Sequence, residues 1–197
     1  MDPADGQPPW SLTLDFVPDP HALFSVVDAE VPWTDQMRSR RTASMGLPYN
    51  YSGASYAEAP WHPAVAALRD RVAARLGFEP TNGLLNHYPD GRASLGWHSD
   101  DVDILAPDTP IAIVSLGAAR PLGLRRTTEA GFEYDAVELE PGSLLVMSQA
   151  MQATWRHRLA RHPTDAPRIS LTFRRIVRVV SAAERRAAQG RPAPWSR

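Results

Sequence analysis

Three side chains in this chain have the types and spacing needed to hold a metal ion. In His98-Ser99-Asp100 an imidazole and a carboxylate stand two residues apart, so on extended backbone both project to one face and can reach a common ion. A second histidine, His157, follows much later in Thr154-Trp155-Arg156-His157, at the start of a late strand. Two histidines and one carboxylate on a β scaffold cover one face of an ion and leave three positions open. That is the facial arrangement of non-haem Fe(II) oxygenases. Zinc accepts the same donors, so the ligand set alone does not choose the metal. A lone His-x-Asp pair is a common surface combination; the third ligand is what gives it meaning.

The strongest alternation in the chain follows His157. In Arg168-Ile169-Ser170-Leu171-Thr172-Phe173-Arg174, Ile169, Leu171 and Phe173 share one face of a strand, and Arg168, Ser170, Thr172 and Arg174 share the other. Turned inward, that cationic, hydroxylated face needs an anion to offset its desolvation. A small dicarboxylate suits it, because arginine presents paired donors to carboxylate oxygens. Arg168 and Arg174 lie about 20 Å apart on an ideal strand, so sharing one small ligand requires long, leaning side chains. Asn86 and Tyr88 add two donors on one face of an earlier strand. The Asp90-Gly91 turn that follows is expected to bring a strand bearing His98 back beside them.

The elements that must position these groups are read from periodicity. Trp10, Leu12, Leu14 and Phe16 alternate as an opening strand. Asp19-Pro20 predicts an N-cap and first turn, with Leu23, Phe24 and Val27 as the apolar stripe. Residues 30–60 show no sustained period and read as a loop-rich stretch of cations and aromatics. Pro63 opens the clearest helix, with Val65, Leu68, Val72 and Leu76 on one face and Gly77 closing it. Beyond residue 80, short apolar runs at 83–88, 111–116, 132–139, 143–147 and 168–180 alternate with turn residues, which argues for a sandwich or barrel. The termini, 1–9 and 181–197, read as loose. The expectation is a mainly β, α+β fold: an N-terminal extension and lid over 1–80, a double-layer core over 81–180 and a tail over 181–197, in one domain.

Composition limits the alternatives. With 197 residues, one domain is the natural count. Zero cysteines exclude disulfides, thiolate metal sites and thiol catalysis, so a metal must be held by His and carboxylates. No run of apolar residues is long enough to span a bilayer and the N-terminus lacks a secretory pattern, so a cytoplasmic monomer without a membrane partner is expected. All 21 basic residues are arginine, which removes Schiff-base and P-loop lysines. Residues 1–119 carry 7 Arg against 15 acids and residues 120–197 carry 14 Arg against 7. The second half is therefore suited to an anionic partner.

Taken in order, Asn86-x-Tyr88-x-Asp90-Gly91, Gly96-x-His98-x-Asp100-Asp101, Trp155-x-His157 and Pro167-Arg168-x-Ser170-Leu171-Thr172-Phe173-Arg174 resemble the AlkB family of Fe(II)- and 2-oxoglutarate-dependent dioxygenases. The likeness covers about residues 84–176 and continues more weakly through Pro48-Tyr49-Asn50-Tyr51-Ser52-Gly53 and Pro60-Trp61. The resemblance implies a double-stranded β-helix, or jelly roll, under an N-terminal substrate lid. It implies that His98, Asp100 and His157 ligate iron and form the catalytic centre. It also implies that Arg168, with Arg174, Asn86, Tyr88 and Ser170, holds 2-oxoglutarate, with dioxygen as the further cosubstrate. Ser170 stands where relatives often have Asn.

The same resemblance implies oxidative demethylation of N-alkylated bases in DNA or RNA, releasing succinate, CO2 and formaldehyde. The base is flipped from its stack and held between a lid aromatic, Tyr51 or Tyr49, and His98. Asp101 and Arg41 complete the implied substrate contacts, and Arg38, Arg40, Arg125 and Arg126 are candidates for phosphates. One departure favours an alternative. Base-demethylating relatives usually carry an acid where this chain has Val102, which accepts no hydrogen bond; Asp103 next to it would point the other way on a strand. A hydroxylase or demethylase of a small molecule or protein side chain is the second reading.

Overall fold

The computed structural model describes residues 8–50, 54–181 and 184; Tyr51 and most of the two terminal segments lie outside them. Along the chain run β1 (Trp10–Thr13), α1 (Pro20–Glu30), β2 (Thr34–Met37), β3 (Arg40–Gly46), α2 (Pro63–Leu76), β4 (Asn82–Tyr88) and β5 (Leu95–His98). There follow β6 (Ile111–Gly117), β7 (Arg120–Thr128), β8 (Gly131–Leu139), β9 (Leu144–Met147), α3 (Gln149–Thr154), β10 (Trp155–Leu159) and β11 (Arg168–Arg174). The strands form two antiparallel sheets, β1-β9-β6-β11-β4-β3-β2 and β5-β10-β7-β8. The fold is thus a mixed α+β arrangement of helices and two antiparallel sheets.

Both longer helices begin where their sequences predict, and α2 also ends as predicted. The Asp19 side chain accepts the Ala22 N–H at 2.9 Å ahead of Pro20, satisfying a donor that the first turn leaves open. At the end of α2, Gly77 adopts φ 72° and its N–H bonds to the Ala73 carbonyl, a left-handed cap that a Cβ would disfavour. The predicted stripe of α2 is buried at Val65, Leu68 and Val72. With Val27 of α1 these side chains form one core against Leu85, Leu116, Leu171 and Phe173 of the seven-stranded sheet.

Period-two alternation then sorts the central strands. Ile169, Leu171 and Phe173 face the helices, while Arg168, Ser170, Thr172 and Arg174 line a cavity on the other side of β11. In β6, Val114 and Leu116 join the helix-side core, and Ile111 and Ile113 join a second core with Leu122, Leu124, Leu139 and Trp155 of the smaller sheet. The cavity lies between the sheets, where polar residues interrupt that second core.

Two expectations fail. Residues 30–60 contain a hairpin, with Thr34 paired to Thr42 and Met37 to Arg40. Its turn at Arg38-Ser39 lacks Gly or Asn, and it is held by β3 pairing along β4 from Arg41↔His87 to Gly46↔Asn82. Non-local pairing of this kind leaves little local signal. Second, Asp90-Gly91 does not close a β4–β5 hairpin. β5 belongs to the other sheet and pairs with β10, His98 opposite His157. The Gly91 backbone instead packs against 162–164, donating to the Thr164 carbonyl at 2.7 Å and accepting from the His162 N–H at 2.9 Å. A Cβ there would fall 1.8 Å from the His162 oxygen.

Candidate metal and dicarboxylate site

His98 and His157 are cross-strand neighbours on β5 and β10, with ring centroids 4.1 Å apart. Asp100 lies two residues beyond, where β5 has ended. One ligand atom from each of His98, Asp100 and His157 falls within 4.8 Å of the others, and this is the only such cluster among the described residues. The Nδ1 atom of His98 lies 2.8 Å from the Gly96 carbonyl. A proton there leaves Nε2 with a free lone pair, the tautomer a metal needs. His157 is 4% exposed and its Nδ1 has no hydrogen-bond partner among the described residues.

The electrostatics keep His157 and Asp100 deprotonated. Burial first, and then the nearby His98, lower the pKa of His157 to about 3, with Asp100 acting the other way. Burial alone would raise Asp100, but Arg174, then His157 and His98, outweigh it and hold the carboxyl below its ordinary range. Arg174 donates to Asp100 Oδ2 from Nε at 3.0 Å and from Nη2 at 2.7 Å. Both bonds fall on Oδ2, leaving Oδ1 for an ion. The Asp100 N–H is anchored on Gln152 Oε1 at 2.9 Å, so α3 orients the carboxylate from behind.

A cavity of about 250 Å³ opens beside this cluster, lined by His98, Asp100 and His157 together with Asn86, Tyr88, Arg168, Ser170 and Arg174. Arg168 is 2% exposed. Its Nη2 donates to Ser115 Oγ at 2.9 Å, its guanidinium carbon lies 5.6 Å from the centre of the Tyr88 ring, and its Nε has no hydrogen-bond partner among the described residues. Burial lowers its pKa to about 10, so it remains a cation at neutral pH. A buried guanidinium with an open donor edge and, among the described residues, no ion-paired carboxylate is a receptor for an anion. The donor set therefore fits both a divalent metal and a small dicarboxylate.

The cavity also holds Tyr49 and Asp101. The Tyr49 hydroxyl accepts the Asp101 N–H at 3.0 Å and its ring lies 4.1 Å from the Arg174 guanidinium; burial, followed by the charge on Asp100, raises its pKa and keeps the phenol neutral. Arg41 is elsewhere. It meets Asp28 at 3.8 Å and His87 at 3.3 Å on the helix side of β3, away from the cavity lining. Tyr51 lies outside the described residues. Arg40, read as a phosphate candidate, is instead buried in the cavity wall with its Nε on Asn86 Oδ1 at 2.6 Å. Sequence reading missed the supporting roles of Ser115, Gln152 and Arg120. Arg120 is fully buried, capping the carbonyls of Ala93 and Ala160 near Tyr88. All three act through tertiary contacts far apart in sequence.

The frame of two antiparallel sheets and a two-histidine, one-carboxylate cluster beside a buried arginine define a class of metal-dependent oxygenase site. A family model described as the 2OG-Fe(II) oxygenase superfamily matches residues 21–174. The chain belongs to that superfamily, within its AlkB branch. It is 37% identical over 153 residues to DNA oxidative demethylase ALKBH2 of Bos taurus, covering 74% of this chain and 55% of that one. It is 34% identical over 166 residues to human alpha-ketoglutarate-dependent dioxygenase alkB homolog 3, covering 75% and 58%. The chain thus spans rather more than half the length of these relatives. The structure of OsALKBH1 superposes with a TM-score of 0.61 at 17% identity, over 86% of this chain and 98% of that one, a likeness of fold. Family and cluster together support Fe(II), 2-oxoglutarate and dioxygen as the cofactors.

Proposed function

We propose that this chain is an AlkB-type dioxygenase that demethylates N-alkylated bases in nucleic acid, and that its two sheets are the walls of a double-stranded β-helix. One observation carries the chemistry: a single cavity holds both the His98–Asp100–His157 cluster and the buried Arg168 cation. The names of the relatives above carry the substrate class. Fe(II) held by the three ligands would supply oxidation of a C–H bond coupled to conversion of 2-oxoglutarate and dioxygen to succinate and CO2, an N-methyl carbon then leaving as formaldehyde. Arg168 binds the distal carboxylate of the cosubstrate, with Tyr88 and Ser170 beside it. Arg174 keeps Asp100 ionised, and Arg40 holds the Asn86 amide oxygen, which fixes that side chain in the cavity wall. The apolar wall of Leu122, Leu139 and Leu159 excludes water. From the N-terminal extension, Arg40 and Tyr49 reach the cavity wall, while α1 and α2 pack on the other face of the seven-stranded sheet.

For the substrate, Asp101 is the carboxylate at the cavity besides the ligand Asp100, and it accepts an exocyclic amine. Val102 instead packs against the core between the sheets and offers no acceptor. That packing favours the second reading, a substrate outside nucleic acid, to the extent that amine recognition needs the missing acid. Turnover with Fe(II), ascorbate and 2-oxoglutarate, following succinate and formaldehyde together, separates the two. Equal yields on strands carrying 1-methyladenine or 3-methylcytosine, absent from unmodified strands and from His98→Ala/Asp100→Ala protein, are expected. Succinate without formaldehyde on every strand would reject the nucleic-acid reading and leave the oxygenase.

A further inference from the structure

The outer face of the four-stranded sheet carries a cluster that this chemistry does not use. Because His157 faces inward, its neighbours Arg156 and Arg158 face outward. Arg156 lies opposite Arg125 on β7, and Arg125 opposite Tyr134 on β8. Trp97 of β5 joins them: the guanidinium carbons of Arg158 and Arg125 lie 4.4 and 4.6 Å from its ring centre, and that of Arg125 also lies 4.8 Å from the Phe132 ring. Two like charges drawn to one ring repel each other, and the ring quadrupole offsets only part of that. Among the described residues none of Arg125, Arg156 and Arg158 forms an ion pair; the carboxylate of Glu133 is taken by Arg126.

Beside these cations, Phe132 and Tyr134 are 55% and 62% exposed. Large aromatic rings left open next to unpaired arginines form the combination that binds single-stranded nucleic acid, phosphates on the cations and bases on the rings. The cluster is also connected to the metal site. A groove of about 290 Å³ lined by Arg125, Phe132 and Arg156 reaches Ser99, and Ser99 lines the central cavity as well. The ring of Tyr134 lies 6.2 Å from that of Trp97 and 6.2 Å from that of Phe132, so the three aromatics and the arginines among them form one continuous patch.

We propose that this face is a docking track for a single-stranded polynucleotide, which leads past Ser99 to the cavity. The proposal rests on the nucleic-acid reading above and adds where the flanking strand lies. Arg125, Arg156 and Arg158 contact phosphates, Phe132 and Tyr134 stack bases, and Trp97 holds Arg125 and Arg158 together.

The test is anisotropy of a short labelled, unmodified single-stranded oligonucleotide with the full chain loaded with Mn(II) and 2-oxoglutarate. The variants are Arg125→Gln/Arg158→Gln and Phe132→Ala/Tyr134→Ala, with melting checked to match wild type. Binding that weakens about tenfold or more in each variant, with a shallower salt dependence only in the arginine variant, is expected. Turnover of a free methylated nucleoside should be unchanged by either. Equal binding by wild type and both variants would overturn the track, and methylated strands could still be turned over, so the catalytic reading would survive. Patch-dependent binding without turnover of any methylated strand would support the track and reject that reading. Equally tight competition by polyglutamate, with no loss in the Phe132→Ala/Tyr134→Ala protein, would overturn the track in favour of an acidic polypeptide.

Discussion

Arg174 and Asp100 form a buried ion pair whose worth can be isolated from everything else each residue does. The side chains are 4% and 5% exposed and the closest approach is 2.7 Å, so solvent screening does not weaken it as at a surface. Arg174→Met in the metal-free protein removes both donors from Asp100 and leaves a carboxylate desolvated, at about 3–5 kcal/mol for a broken buried pair. For a chain of this length that is a fall in Tm of roughly 10 °C. Asp100→Asn strands the guanidinium in the same way. Since replacing both partners of a buried pair is often nearly neutral, the double variant should be much less damaged than the sum of the singles, with a coupling of about 2–4 kcal/mol. The cycle cancels the contact of Arg174 with the Tyr49 ring. Urea unfolding of the four proteins measures it. Adding Mn(II) supplies a second positive charge to Asp100, so it should narrow the gap between Arg174→Met and wild type. Single-variant effects that simply add within about 0.5 kcal/mol, or an Arg174→Met deficit untouched by Mn(II), would refute the reasoning.

Arg168→Met should weaken 2-oxoglutarate binding by about 30-fold or more, the scale for losing a buried charged partner, while Mn(II) affinity stays within a fewfold; titration of each ligand separately checks it. Acidification should destabilise the metal-free protein between pH 6.5 and 3. His157 has a folded pKa below its unfolded value, so the unfolded chain takes up the proton first, and lowered Asp100 acts in the same direction. The His157 contribution alone is bounded at about 5 kcal/mol, and the His157→Gln protein should show a flatter profile of urea midpoint against pH. Gly91→Ala should lower the urea midpoint sharply, because its Cβ meets backbone oxygens of 162 and 164, whereas Gly77→Ala costs about 1 kcal/mol from strain at positive φ with open space around it.

Much of the architecture was legible in the residues alone. Asp19-Pro20 and Pro63 through Gly77 carried local capping chemistry, and each marked a helix end within its own few residues. The alternation of Arg168–Arg174 separated an apolar face from a cationic one, and the inward turn of that cationic face is what the cavity shows. The family motifs drew attention to His98, Asp100 and His157, which the structure brings within reach of a single ion. What failed or was missed depended on partners distant in sequence. β2 and β3 form because β4 offers a template; Asp90-Gly91 reads as a hairpin turn until packing against 162–164 sends β5 to the other sheet. Ser115, Gln152 and Arg120 look unremarkable where they stand, and matter only where the fold sets them behind Arg168, Asp100 and Tyr88. Local sequence determined which residues could cap, alternate or ligate, because those depend on neighbours a few bonds away. Which carboxylate meets which arginine, and which arginine is left to wait for an anion, was decided by tertiary structure, because burial and pairing exist only once the sheets have closed over them.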